Sequence, residues 1–118
     1  MDMVLNLPEL RCRLENDEEF IRELLQILLD ALPRMAGDIR AAVAAANAEG
    51  LTMAAHALKG SAANLAAERV GKIAARLELM GRKQDLTGLR GVHAELEVEL
   101  GRLVEQLKDI LATEPIAA

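Results

Sequence analysis

The sequence predicts an all-α protein, an antiparallel four-helix bundle with a short extra helix at its N-terminal end. The chain has 118 residues and contains 21 Ala and 21 Leu, but only 15 β-branched residues. Ala and Leu are the strongest helix formers, whereas β-branched residues favour strands. Four long segments are amphipathic, with apolar residues recurring every three or four positions, which is typical of helices that bury one face. Their short connections favour antiparallel neighbours.

Capping residues mark the first two helices. A short helix is expected over about Pro8–Leu14, with Asn6 as the cap that accepts a hydrogen bond from a free backbone N–H. Asp17 opens a much longer helix, which we expect to stop near Asn47–Gly50. Pro33 removes one backbone hydrogen bond inside it, so we expect a kink there that need not end the helix. The predicted buried stripe consists of Phe20, Leu24, Ile27, Leu28, Ala31, Met35, Ile39, Ala42 and Val43.

Three further helices are expected in the second half of the chain. The third covers roughly Leu51–Leu65 and the fourth roughly Ala67–Arg82, followed by a turn at Lys83-Gln84-Asp85. The last runs from about Thr87 to Ala112. Its buried side is predicted from the spacing to contain Leu89, Val92, Leu96, Leu100, Leu103, Leu107 and Ile110.

The chain shows no internal repeat, low-complexity tract or linker. We therefore expect residues 1–118 to form a single domain, with residues 1–6 and 114–118 as loose termini. The expected bundle needs no partner to close its core, which favours a monomer.

The composition argues against several classes of function. A formal net charge of −5 and a single aromatic residue, Phe20, disfavour nucleic-acid binding, which draws on basic surfaces and on stacking. No apolar run approaches the roughly 20 residues of a membrane span, and Asp2 stands where a signal peptide would carry lysines. The single Cys12 excludes an internal disulfide and suits a reducing compartment. We therefore expect a cytoplasmic domain that contacts neither nucleic acid nor membrane.

The third helix carries the first candidate for chemistry. On a helical wheel, His56 lies opposite the apolar face formed by Leu51, Ala54, Ala55, Leu58, Ala62 and Leu65. Gly60 and Ala63 follow His56 one and two turns later, and Lys59 lies within reach. Gly60 costs about 1 kcal/mol of helix propensity relative to Ala, so something other than helix formation places it there. Small neighbours let another protein's surface approach an exposed imidazole closely.

The fourth helix offers a partner for this histidine. Glu78 and Arg82 continue a stripe that begins with Gly71 and Ala75, beside the apolar face. Glu78 could accept the Nδ1 proton of His56, leaving Nε2 free as a nucleophile. The alternative interpretation is a solvated pair of Glu78 and Arg82 at spacing i,i+4, which contributes little to stability.

The second histidine, His93, has a different setting. It lies on the apolar side of the last helix, one turn before Glu97, and we expect it to be a rim or core histidine with a satisfied hydrogen bond. A metal or haem bundle needs several inward ligands, which His93 alone cannot supply. We therefore predict no metal site.

Residues 55–65, AHALKGSAANL, carry a more specific signal. They resemble the H-x-L-K-G-S motif of the histidine-containing phosphotransfer (HPt) domain family. The resemblance extends over nearly the whole chain, including the lead-in DEEFIRELLQILLDALPRM, the proline and the long closing helix. It implies a phosphorelay intermediate of two-component signal transduction, which accepts a phosphoryl group from a receiver-domain aspartyl phosphate or returns it to a receiver aspartate.

The resemblance also implies a role for each matching residue. His56 is the phosphoacceptor through Nε2, Lys59 is the cation near the phosphoryl group, and Glu78 orients the imidazole. Gly60 permits docking, and Arg82 matches a basic position beside the site. Exposed Met53 and Ala63 are further docking candidates, because an apolar patch beside the histidine would contact the receiver.

The implied partners are response-regulator receiver domains, which bring Mg²⁺ and an acidic pocket; the chain itself needs no cofactor. No autonomous kinase activity is expected. The sequence leaves open whether the chain is a free-standing shuttle or a segment of a hybrid sensor histidine kinase. It also leaves open a non-catalytic docking bundle that binds a receiver or kinase without accepting phosphate. The chain departs from the family pattern at Ala66, where a glycine is usual, and we expect the extra methyl group to narrow the approach of a partner.

Overall fold

The computed structural model describes residues 5–113, which form five helices. Their bounds are Leu7–Arg13 (α1), Glu18–Ala44 (α2), Ala48–Asn64 (α3), Glu68–Lys83 (α4) and Leu89–Ala112 (α5). Helix α2 packs against α3 and α5, and α4 packs against the same two helices, which closes a four-helix bundle; α1 contacts α2. The predicted all-α bundle with a short N-terminal helix is confirmed. Within residues 5–113, no helix combines the length and apolar character needed to cross a membrane.

Side-chain caps define three of the helix starts. Asn6, Asp17 and Asn47 each accept a hydrogen bond from the backbone N–H three residues later, at 3.0–3.1 Å. The two predicted caps, Asn6 and Asp17, are thus confirmed. Because Asn47 also acts as a cap, α3 begins at Ala48, three residues before the expected start at Leu51.

The core is aliphatic, and it corrects the predicted buried face of α2. The expected faces of α3 and α5 are buried or partly buried as predicted, whereas Phe20 and Ile27 are 47% and 64% exposed. The buried residues of α2 are Ile21, Leu25, Leu28, Leu32, Ala36, Ile39 and Ala42. The first half of α2 carries apolar residues on more than one face, so spacing alone does not select the face that meets α3 and α5. The helix continues through Pro33 without ending.

The start of the described chain is anchored to the bundle. Leu5 is fully buried, and its N–H donates to Oε1 of Gln106 on α5 at 2.9 Å. The N–H of Asn6 donates to the carbonyl oxygen of Ala66 at 3.0 Å. The prediction that residues 1–6 form a loose terminus is therefore wrong for Leu5 and Asn6. Residues 1–4 and 114–118 lie outside the described residues, so the prediction for them, and for one domain over the whole chain, stays a prediction.

Two residues after the last residue of α2 and of α3, an alanine adopts the left-handed region. Ala46 has φ 49° and Ala66 has φ 53°. In each case the next N–H bonds back to the carbonyl five residues earlier, Asn47 to Ala42 at 2.9 Å and Ala67 to Ala62 at 2.8 Å. Glycine is favoured at this position because a Cβ atom in the left-handed region costs roughly 1–2 kcal/mol. This backbone conformation explains why a glycine would be favoured where this chain has Ala66.

We expect Ala46→Gly and Ala66→Gly each to raise the free energy of unfolding by about 0.5–1 kcal/mol, because relief of strain exceeds the extra entropy of the unfolded chain. Urea denaturation followed by circular dichroism measures this change. Gly88→Ala is the reverse control, because Gly88 has φ 78° and its alanine variant should lose stability. A loss of stability in both Ala→Gly variants would contradict the strain.

Candidate functional site

Helix α3 presents His56 on the surface of the bundle. Its opposite face is buried through Leu51, Ala55, Leu58 and Ala62, which fixes the rotation of the helix. The His56 side chain is 65% exposed, as the helical wheel predicts. The imidazole is therefore held on a packed helix and is open to solvent.

The carboxylate of Glu78 on α4 lies beneath this ring. Glu78 is only 4% exposed, and its Oε2 lies 2.9 Å from Nδ1 of His56. Nζ of Lys59 donates to Oε1 at 2.5 Å, and Nη2 and Nε of Arg82 donate to Oε2 at 2.8 and 3.3 Å. The alternative interpretation of a solvated pair of Glu78 and Arg82 is wrong, because the pair exists but its carboxylate is buried and shared with His56.

The charge of this carboxylate determines the tautomer of the histidine. Hydrogen bonds from Lys59, then Arg82 and also His56, lower the pKa of Glu78 to about 2 against the opposing effect of burial. An ionised carboxylate only accepts hydrogen bonds, so Nδ1 of His56 must carry the proton in this contact. In the neutral ring, Nε2 then has a free lone pair.

Two cations flank the ring while remaining partly accessible. The side chains of Lys59 and Arg82 are 42% and 61% exposed, although both bind Glu78. They bring two positive charges against one buried negative charge. The site thus combines a fixed imidazole with a locally positive surface in a chain whose formal net charge is −5.

The surface of α3 around His56 contains two small residues and an exposed methionine. Gly60 is exposed, and a Cβ atom added to it would meet no atom within 4 Å. Ala63 is exposed and Met53 is 69% exposed, both on α3. A groove of about 510 Å³ adjoins this face and is lined by residues of α1, α3 and α4, among them Lys59, Ala63 and Arg13.

The second histidine does not join this site. The side chain of His93 is 17% exposed, as expected for a rim histidine. Its Nε2 lies 3.0 Å from Oε1 of Glu97, one turn further along α5, so the partner that the spacing suggests is in place. Glu97 also accepts two hydrogen bonds from Arg40 of α2, at 2.8 and 3.0 Å. Among residues 5–113, no group of three or more His, Cys, Asp or Glu side chains could hold a metal ion.

The sequence matches one known protein family along most of its length. The sequence model described as "Hpt domain" matches residues 23–112, well over half of the chain. The chain belongs to the Hpt domain family. Membership assigns it a phosphorelay role in two-component signalling and implies interaction with receiver domains and kinases. A comparison with curated proteins found no significant match.

Two solved structures share the Hpt fold. Histidine-containing phosphotransfer protein B from Pseudomonas aeruginosa PAO1 has a TM-score of 0.87 at 21% identity, covering 98% of this chain and 100% of its own. The HPT domain of a sensor hybrid histidine kinase from Shewanella has a TM-score of 0.83 at 21% identity, covering 92% and 94%. At 21% sequence identity, the likeness to these two structures establishes the fold of this chain.

One residue of the site region, Gly81, is not predicted from the sequence. It is buried on α4, one turn after Glu78, and it contacts Thr52 of α3. The available signal was a glycine on the buried side of an amphipathic helix, where it has a packing reason more often than a conformational one.

We expect the ionisation of Glu78 to stabilise the folded protein. Its pKa is about 2 in the folded chain, below the ordinary value of 4.5, so the stabilisation is present above about pH 4.5 and is lost as the pH falls towards 2. In Glu78→Gln this contribution is absent. The stability of the wild type relative to Glu78→Gln should therefore decline across pH 4.5 to 2, measured by urea denaturation at each pH; a difference that stays constant over this range would contradict the shift.

Proposed function

We propose that His56 accepts a phosphoryl group from a receiver-domain aspartyl phosphate, and that it returns this group to a receiver aspartate in the reverse reaction. The observation that carries the proposal is the setting of one ring: its Nδ1 is held by the buried Glu78, and the rest of the ring is exposed. In the forward step the Nε2 lone pair forms a P–N bond while the P–O bond to the aspartate breaks. The aspartate leaves as a carboxylate, and the proton on Nδ1 stays with the ring and Glu78.

Phosphoryl transfer depends mainly on positioning and on charge stabilisation. Glu78 supports the first requirement, because it fixes both the tautomer and the rotation of the ring. Lys59 supports the second, because it follows His56 by three residues on α3, and its ammonium group is partly exposed and lies against Glu78. We assign Lys59 the partial neutralisation of the phosphoryl group. The acidic pocket and Mg²⁺ are assigned to the receiver.

The docking surface is assigned to the face of α3 around His56 and to Arg82. This face has little side-chain bulk at Gly60 and Ala63 and an exposed apolar side chain at Met53, which suits the close approach of a second protein. Arg82 is exposed and would complement an acidic rim, while it also binds Glu78. A cytoplasmic location and a monomeric state, both expected from the sequence, stay predictions.

Substitution of the acceptor gives the first test. Incubation with a phosphorylated receiver and Mg²⁺ should label the wild type with an acid-labile, base-stable phosphate, and His56→Gln should abolish that label. His93→Gln is the matched control and should be labelled as the wild type is. Label that persists in His56→Gln would refute the assigned acceptor, and receiver binding without any transfer to the wild type would favour the non-catalytic docking alternative.

Gly60→Ala gives the second test, because we expect it to stabilise the fold and to slow phosphotransfer. Gly60→Ala should raise the free energy of unfolding by about 0.5–1 kcal/mol, since the methyl group meets no neighbour and alanine favours helix. It should slow phosphotransfer by about tenfold, about 1.4 kcal/mol, because the methyl group stands in the docking surface.

Gly101→Ala is the control for this pair, because Gly101 is an exposed glycine of α5 whose added Cβ also meets nothing within 4 Å. It should gain stability and transfer at the wild-type rate. Equal transfer rates for the Gly60→Ala and Gly101→Ala variants would show that position 60 lies outside the docking surface.

A further inference from the structure

Gly81 of α4 lies directly against the backbone of α3. A methyl group at this position would overlap Oγ1 of Thr52, and it would lie 2.7 Å from the carbonyl oxygen of Ala48 and 2.9 Å from the backbone nitrogen of Thr52. Side-chain carbons do not approach backbone atoms this closely. Thr52 could turn its hydroxyl away, but the two backbone atoms could move only with α3 itself. The absence of a side chain at position 81 therefore determines how near the two helices come.

This contact is one helical turn from the His56–Glu78 hydrogen bond. Gly81 follows Glu78 by three residues on α4, and Thr52 precedes His56 by four residues on α3. Residues three or four apart share a face of a helix. The glycine contact and the hydrogen bond therefore lie on the same side of each helix, within about one 5.4 Å turn of each other. A separation of the helices at Gly81 would therefore lengthen the 2.9 Å contact between Nδ1 of His56 and Oε2 of Glu78.

We propose that Gly81 is a positioning residue of the phosphotransfer site, which keeps α4 close enough to α3 for Glu78 to hold Nδ1 of His56. It touches neither the imidazole nor the phosphoryl group, and it acts through the distance between the helices. The expected effect of Gly81 on phosphotransfer rests on the proposed function of His56. The expected effect of Gly81 on the His56–Glu78 hydrogen bond is independent of that function.

Another glycine of the same interface provides a matched comparison. Gly71 also lies on α4 and faces α3, but a methyl group there would meet only the Cβ atom of Ala62, at 3.6 Å. That distance is ordinary van der Waals contact. Gly71→Ala should therefore leave the helices where they are, whereas Gly81→Ala should force them apart.

The tautomer of His56 gives a readout that a general loss of stability would not move. In the wild type and in Gly71→Ala, ¹⁵N chemical shifts of the neutral ring should show the proton on Nδ1, because Glu78 accepts it. In folded Gly81→Ala the shifts should move towards the Nε2–H form, and phosphotransfer from a receiver should fall at least tenfold. Gly81→Ala, Thr52→Ala should not recover either property, because the backbone atoms of α3 still oppose the methyl group.

The same variants should also be prepared with Ala46→Gly and Gly101→Ala, so that Gly81→Ala is measured in a chain with added stability and an unchanged docking surface. The proposal is overturned if folded Gly81→Ala keeps the Nδ1–H form, if it loses that form but transfers at the wild-type rate, or if Gly71→Ala changes to the same extent. If the wild type itself accepts no phosphate, the proposed function fails, and the ¹⁵N shifts alone still decide whether Gly81 holds the hydrogen bond.

Discussion

The site depends on one buried negative charge. A carboxylate removed from water is costly unless it is paired and hydrogen-bonded. Glu78 meets this condition with an imidazole N–H, an ammonium and a guanidinium, and these groups come from both helices of the α3–α4 pair. The same interaction fixes the tautomer of His56, collects two cations beside it and links the helices. Removal of this charge would therefore change chemistry, electrostatics and packing together.

The two residues joined by the His56–Glu78 hydrogen bond differ sharply in their exposure to solvent. Glu78 is almost fully buried, whereas His56, only 2.9 Å away, is mostly exposed. This arrangement suits a residue that must be rigid and must still be reached by another protein. The rigidity comes from the aliphatic faces of the helices, which bury Leu58 and Leu77 completely on either side of the interface. Access comes from the small residues Gly60 and Ala63 on the outer face of α3.

The sequence predicts the fold and the exposed histidine because both depend on periodicity. The composition indicates helices, and the wheel of α3 places His56 opposite its buried face. The buried face of α2 could not be predicted in the same way, because Phe20 and Ile27 compete with Ile21 and Leu25 for the core. The burial of Glu78 and the contact at Gly81 depend on the distance between two helices, which local spacing does not encode. Family membership follows from the motif together with the length of the match.

The lack of aromatic residues in the core has a practical consequence. The chain contains no Trp or Tyr, and its one Phe, Phe20, stands about half exposed at the start of α2. The protein is therefore nearly transparent in the near ultraviolet and has no useful intrinsic fluorescence. In a mixture with a receiver that contains tryptophan, all emission comes from the receiver, so spectral changes on complex formation report on that molecule without background.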